Sequence, residues 1–171
     1  MTLNPLLDRW RLTSLAACAG LLAVAHGFQT FGGLAPCELC LKQREVYWVT
    51  AALALGGMIV VRLPAGARLR QATCWILALG FAAETALAAY HAGVEWKFWP
   101  GPASCTGAAV NGVTAADLAR LLNGGGAKPP ACDQAAWVFG GLSMAGWNAI
   151  AALTLVVLSV AAALRERGKA A

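Results

Sequence analysis

Charge is what this sequence has least of. Only 12% of its 171 residues are charged, against 59% hydrophobic, and just eight are acidic. Soluble domains run at about 25% charged and about 45–50% apolar, so one soluble core is excluded and a membrane composition remains. No basic patch is present either. The +5 net charge is scattered over short connections and tails, which argues against a nucleic-acid face and for topology signals. Internal repeats, low-complexity tracts and a break that would divide the chain into two domains are also missing. Histidine occurs only as His26 and His91.

Long uncharged runs are what the chain does have. Leu12 to Phe31 holds no Lys, Arg, Asp or Glu, and about 20 apolar residues cross a hydrocarbon core as a helix. Further runs predict spans over about 44–62, 73–91 and 142–164, after a first over about 12–31. The second is the shortest and needs Leu39 and Leu41 to reach across. The fold expected is an all-α membrane protein, a four-transmembrane-helix bundle in one domain over 1–171. Its outward loops lie at about 32–43 and 92–141.

Arginine and lysine set the orientation. Arg9, Arg11, Arg62, Arg68, Arg70, Arg165, Arg167 and Lys169 fall on one side of such a bundle; Lys42, Arg44, Lys97, Arg120 and Lys128 fall on the other. Both termini are therefore expected in the cytoplasm. Arg9, Arg11 and Ala23-Val24-Ala25 imitate a secretory signal, but the apolar run continues to Phe31, past the usual h-region of about 7–15 residues.

The second loop is punctuated by Gly101-Pro102, Asn111-Gly112, Gly124-Gly125-Gly126 and Pro129-Pro130 and is expected to be irregular. Within it, Thr114 to Leu122 predicts one short interfacial helix, with Thr114 and Asp117 as a capping pair. Trp96, Phe98, Trp99, Trp137, Phe139 and Trp147 flank the loop as an aromatic belt.

Six cysteines divide into two classes. Cys18 and Cys74 lie in or beside apolar runs and read as small fillers. Cys37 and Cys40 form a Cys-x-x-Cys step after Pro36, with Arg44 four residues beyond Cys40. A helix starting near Leu39 puts Cys40 in its first turn, where the dipole favours a thiolate, and puts Arg44 on the same face. Arginine also offers donors to a carbonyl oxygen that becomes negative on reduction. A zinc site would need two more ligands at suitable spacing, and Cys105 and Cys132 lie far apart, so no metal is expected. Cys105 and Cys132 would close a loop in an oxidising compartment, either as a plain staple or as an exchanging pair. Glu84 and His91 share one face of the third span; they could relay protons or form an interhelical hydrogen bond.

Cys37-Glu38-Leu39-Cys40-Leu41-Lys42-Gln43-Arg44 resembles the Cys-x-x-Cys…Arg signature of the disulfide bond formation protein B (DsbB) family. Tyr90-His91-Ala92-Gly93-Val94-Glu95…Trp99-Pro100-Gly101-Pro102…Cys105 resembles the segment before the third family cysteine. Cys132 with Leu142-Ser143-Met144-Ala145-Gly146-Trp147-Asn148 resembles the fourth cysteine and the start of the last helix. The resemblance spans essentially the whole chain. It implies an enzyme of the bacterial inner membrane that passes electrons from a periplasmic DsbA-like, thioredoxin-fold oxidase to ubiquinone or menaquinone. It further implies that Cys105 forms the mixed disulfide with that partner, with Cys132 as bridge-mate. Cys37 and Cys40 then take the electrons, Cys40 contacts the quinone, and Arg44 holds it.

Other classes stay open on residues alone. A vitamin K epoxide reductase-like enzyme shares the four-helix core, though its active Cys-x-x-Cys belongs near the last core helix. A bis-His haem carrier would use His26 and His91. A non-catalytic assembly factor would carry the cysteines as staples.

Overall fold

The computed structural model describes residues 4–64, 66–102, 122 and 131–170. The predicted helix over Thr114–Leu122 and the candidate Cys105 lie, apart from Leu122 itself, outside the described residues. A short helix α1 (Asn4–Asp8) leads into four long ones, α2 (Trp10–Thr30), α3 (Glu38–Val60), α4 (Arg70–Glu95) and α5 (Met144–Ala170). Three of them, α2, α4 and α5, are long and apolar enough to cross a membrane. α3 is 23 residues long, but its first two turns carry Glu38, Lys42, Arg44 and Glu45, so its apolar part starts only at Val46.

α4 packs against both α5 and α3, and α3 against α2. Between them Trp10, Leu22, Tyr47, Leu77 and Phe81 are buried with small residues such as Ala54, Ala162 and Ala163. Val49, Leu53, Ile59, Leu79, Leu153 and Val157 point outward and are exposed. An apolar exterior of that extent on every long helix is a surface for lipid, not for water. Cys18 is a buried filler within this core. Cys74 is equally buried but also accepts a hydrogen bond from Arg11 Nη1 at 3.3 Å, which the filler reading did not foresee.

Two helix ends position the outer face. α4 stops at Trp96; Lys97 follows with φ 62°, and the Phe98 N–H reaches back to the Gly93 carbonyl at 2.9 Å. A left-handed residue at that point suits glycine best, and Lys97 is held there by its ammonium, 2.6 Å from Asp133 Oδ2. The same turn folds the Trp99 indole onto Gly93, where a Cβ would come within 2.1 Å of the ring. On the other side, Val138–Phe139 and Leu142–Ser143 pair as a two-stranded hairpin closed by Gly140 and Gly141, both at positive φ. Two central residues at positive φ give the turn whose twist matches a hairpin.

The hairpin corrects the expected start of the last span at 142, because Leu142 and Ser143 are strand and helix begins at Met144. Ser143 Oγ accepts the Gly146 N–H at 3.1 Å as the cap. At its other end α5 runs on through Arg165-Glu166-Arg167, past the span end expected at about 164. Glu166 is buried there and accepts from Arg70 Nε at 2.6 Å.

Candidate active site

Cys37 is the N-cap of α3. Its sulfur accepts the Cys40 N–H at 3.3 Å, and Pro36 before it holds the approach extended. Because the helix starts at Glu38, the side chains of Cys40, Gln43, Arg44 and Tyr47 project toward one cavity of about 490 Å³. α4 contributes His91 and Glu95, α5 contributes Asn148, and the segment after residue 130 contributes Trp137. Phe28 and Trp137 meet at 5.3 Å, Trp137 stacks on Phe139, and Phe139 lies 6.5 Å from Trp147. Part of the predicted aromatic belt thus forms one wall of the cavity.

Cys37 and Cys40 are free thiols, with Cys37 Sγ donating to Cys40 Sγ at 2.9 Å. That bond is the main reason the Cys40 thiol lies below the ordinary cysteine range. Burial and the Glu95 carboxylate oppose the shift, while Arg44 contributes only a small part of it. The Cys37 thiol is pushed up by giving its proton to Cys40 and by burial. The pair therefore holds one nucleophilic sulfur and one proton. We expect the alkylation rate of Cys40 in the reduced protein to rise with pH and level off above a midpoint below that of an ordinary cysteine. A free cysteine would give about 8.5. Iodoacetamide labelling resolved by peptide mass measures it, and a midpoint at 8.5 or above would mean the Cys37 bond does not form.

Arg44 is turned toward α2, where it donates to the Ala25 carbonyl at 3.0 Å and to Gln29 Oε1 at 2.5 Å. It still lines the cavity beside Cys40. Spacing along the chain does not point to Gln29 as its partner.

His91 is buried between the sulfur pair and the bundle interior. Gln43 Nε2 lies 2.9 Å from His91 Nδ1, and Asn148 Nδ2 donates to Gln43 Oε1 at 2.8 Å and to Glu84 Oε1 at 2.7 Å. Tyr47 donates its hydroxyl to Asn148 Oδ1 at 2.6 Å. With its carbonyl taken by Asn148, Gln43 offers His91 an N–H, so Nδ1 accepts and Nε2 carries the ring proton. Nε2 faces Cys37 Sγ at 3.6 Å and Glu95 Oε1 at 3.7 Å. Glu95 is itself held by the Ser143 hydroxyl. Glu84 is fully buried, and among the described residues its Oε2 has no hydrogen-bond partner.

Cys37, Cys40 and His91 place three ligand atoms within 4.8 Å of one another, close enough for a metal ion. A metal at Nε2 would need the opposite ring tautomer. Gln43 would then have to turn its carbonyl to the ring and leave the Asn148 amide facing an N–H. The hydrogen-bond order suits a dithiol better.

Cys132 is disulfide-bonded and 1% exposed. It is buried in the same small cluster as Cys37, Leu39 and Val94, with Cys40 and Leu87 packed against it. The Lys97–Asp133 ion pair, one residue away, ties this segment to the end of α4. Of the sequence candidates, then, Cys37, Cys40, Cys132, Arg44 and His91 meet at one end of the bundle, and Glu84 reaches them through two amides. His26 is exposed on α2 and does not line the cavity, so the two histidines share no pocket. Gln43, Tyr47, Glu95 and Asn148 were missed as site residues. The available signal was polarity inside otherwise apolar helices.

The family model for disulfide bond formation protein DsbB matches residues 8–162. The disulfide bond formation protein B of Dechloromonas aromatica (strain RCB) is 31% identical over 92% of this chain and 92% of its own length. That of Xanthomonas campestris pv. campestris (strain 8004) is also 31% identical, over 92% and 90%. The Nitrosospira multiformis protein is 28% identical over 87% and 86%. No solved structure gives a significant match. With a matching profile over most of its length and relatives of this kind aligned nearly end to end, the chain belongs to the DsbB family of membrane disulfide bond formation proteins.

Proposed function

We propose that the protein is a thiol:quinone oxidoreductase of the bacterial inner membrane that reoxidises a periplasmic DsbA-like oxidase of the thioredoxin fold. All four long helices span the membrane in this reading, both termini are cytoplasmic, and the sulfur pairs face the periplasm. The observation that carries it is the placement of Cys132 against Cys37 while Cys40 faces the aromatic-walled cavity. One pair is thus in reach of the other, and the other is in reach of a lipid-soluble acceptor.

The electrons move as pairs. A thiolate of the soluble oxidase attacks Cys105, and Cys132 leaves as a thiolate; the oxidase's second thiol then releases its own disulfide and frees Cys105. The reduced Cys105–Cys132 pair next opens a Cys37–Cys40 disulfide by the same exchange and becomes a disulfide again. The cavity fits a flat ring flanked by aromatic side chains, with Arg44 as a donor at its edge and His91 lining it behind the sulfur pair. When bound there, ubiquinone or menaquinone supplies an acceptor for two electrons and two protons. Cys40 is the sulfur that faces it; Cys37 keeps the proton that must leave as the disulfide re-forms.

His91 Nε2–H supports the sulfur of Cys37 as that proton departs. Glu84 has a different role from the relay considered above. The amides of Gln43 and Asn148 stand between it and His91, and neither titrates. Glu84 is therefore a positioning residue that fixes the order of the row and with it the His91 tautomer.

Anaerobic addition of a short-chain ubiquinone to the reduced protein, followed by alkylation and mass analysis, tests the proposal. Cys37 and Cys40 are expected to become resistant to alkylation together, whereas Cys18 and Cys74 keep their labels. If Cys37 and Cys40 stay alkylatable with quinone in excess, the pair does not pass electrons to quinone and the reading fails.

A further inference from the structure

At the opposite end of the bundle from the sulfur pairs lies a second cavity of about 320 Å³ between α2, α3 and α4. Arg9, Arg11, Arg62 and Arg70 line it, with Asp8 as the single acid. Arg70 is engaged by Glu166 at 2.6 Å, and Asp8 lies 3.4 Å from Arg165. Among the described residues, Arg11 has no such carboxylate contact. It is 7% exposed, and its Nη1 donates to the Arg70 carbonyl at 3.4 Å, Thr73 Oγ1 at 3.3 Å and Cys74 Sγ at 3.3 Å, all neutral acceptors. Its stem crosses Gly57, where a Cβ would stand 3.4 Å from Arg11 Cδ and from Thr73 Cβ.

A buried cation held only by neutral groups is expensive unless an anion completes it. Among the described residues, Arg9 and Arg62 at the rim carry no ion pair either. The remaining wall is apolar, from Leu12, Met58 and Val61, and Leu12 is exposed. Basic cations above an apolar wall at a helix junction match a phosphate ester carrying acyl chains.

The geometry points to a binding site for the phosphate of an anionic phospholipid, held by Arg11 with Arg9 and Arg62 at its rim. The site is independent of the thiol chemistry and rests only on the chain lying in a bilayer. Free inorganic phosphate shares the headgroup chemistry but has no use for the apolar wall.

Native mass spectrometry of the full chain, released from micelles containing equal phosphatidylglycerol and phosphatidylcholine, separates these cases. The wild type is expected to retain phosphatidylglycerol preferentially. The rim variants R9Q and R62Q, which leave buried Arg11 in place and spare the fold, are each expected to cut that preference by about fivefold. Equal retention of the two lipids by the wild type, or an unchanged preference in the R9Q/R62Q double variant, would overturn the site. Displacement of phosphatidylglycerol by millimolar inorganic phosphate would overturn the lipid assignment.

Discussion

Replacing Cys40 with serine is expected to lower quinone-dependent oxidation of the soluble dithiol by at least about a thousandfold. The variant keeps the N-cap geometry, since the Cys40 N–H that bonds Cys37 is backbone. What it removes is the sulfur that accepts the Cys37 proton and faces the cavity. A serine hydroxyl does not ionise in the working range and forms no disulfide, so no second route exists through Cys37. That thiol is buried and pushed up, a poor nucleophile by itself. The thermal midpoint in detergent should stay close to wild type. Residual turnover above a tenth of wild type, with the fold intact, would show that electrons leave by another path.

Replacing Cys132 with alanine is expected to convert turnover into a trap. With the bridge-mate gone, the Cys105 thiolate opens the disulfide of the oxidised partner to form the mixed disulfide, and the exit by Cys132 attack on Cys105 is closed, so only back-attack by the partner's own second thiolate releases it. Non-reducing gels should show an adduct to a small soluble oxidoreductase, sensitive to reductant and lost when Cys105 is also replaced. Cys132 is 1% exposed and packed on Cys37, so a second, milder outcome is built in. The variant leaves a space beside Cys37, and Cys37 should become more accessible to alkylation. If no adduct forms under conditions where the wild type turns over, Cys105 is not the point of exchange.

The apolar runs were legible because lipid demands length and absence of charge, both of which are local properties. Boundaries were less so. α3 begins at Glu38, one residue from the helix start expected near Leu39 but well before the apolar span expected from 44, because the Cys37 sulfur caps it. The helix then carries Lys42, Arg44 and Glu45 within its charged first turns. Likewise the hairpin before α5 depends on Gly140-Gly141, a short signal lost beside the long apolar stretch that follows. The Cys-x-x-Cys step and its arginine stood out from spacing, yet the cause of the lowered Cys40 thiol did not. Dipole and Arg44 were the expected reasons, whereas the donated Cys37 proton dominates. That cause depends on a rotamer, and spacing carries no rotamer.

By itself the sequence determined the solvent of this protein, the number of long apolar runs and which sulfurs are close along the chain. Only the packed structure decided that Cys132 lies on Cys37, that Arg44 reaches across to α2, and that His91 is joined to Glu84 through Gln43 and Asn148. The reason is physical. Hydropathy and spacing act within one helix, where neighbours are set by the turn, whereas a polar group buried among helices takes whatever partner the packing brings to it.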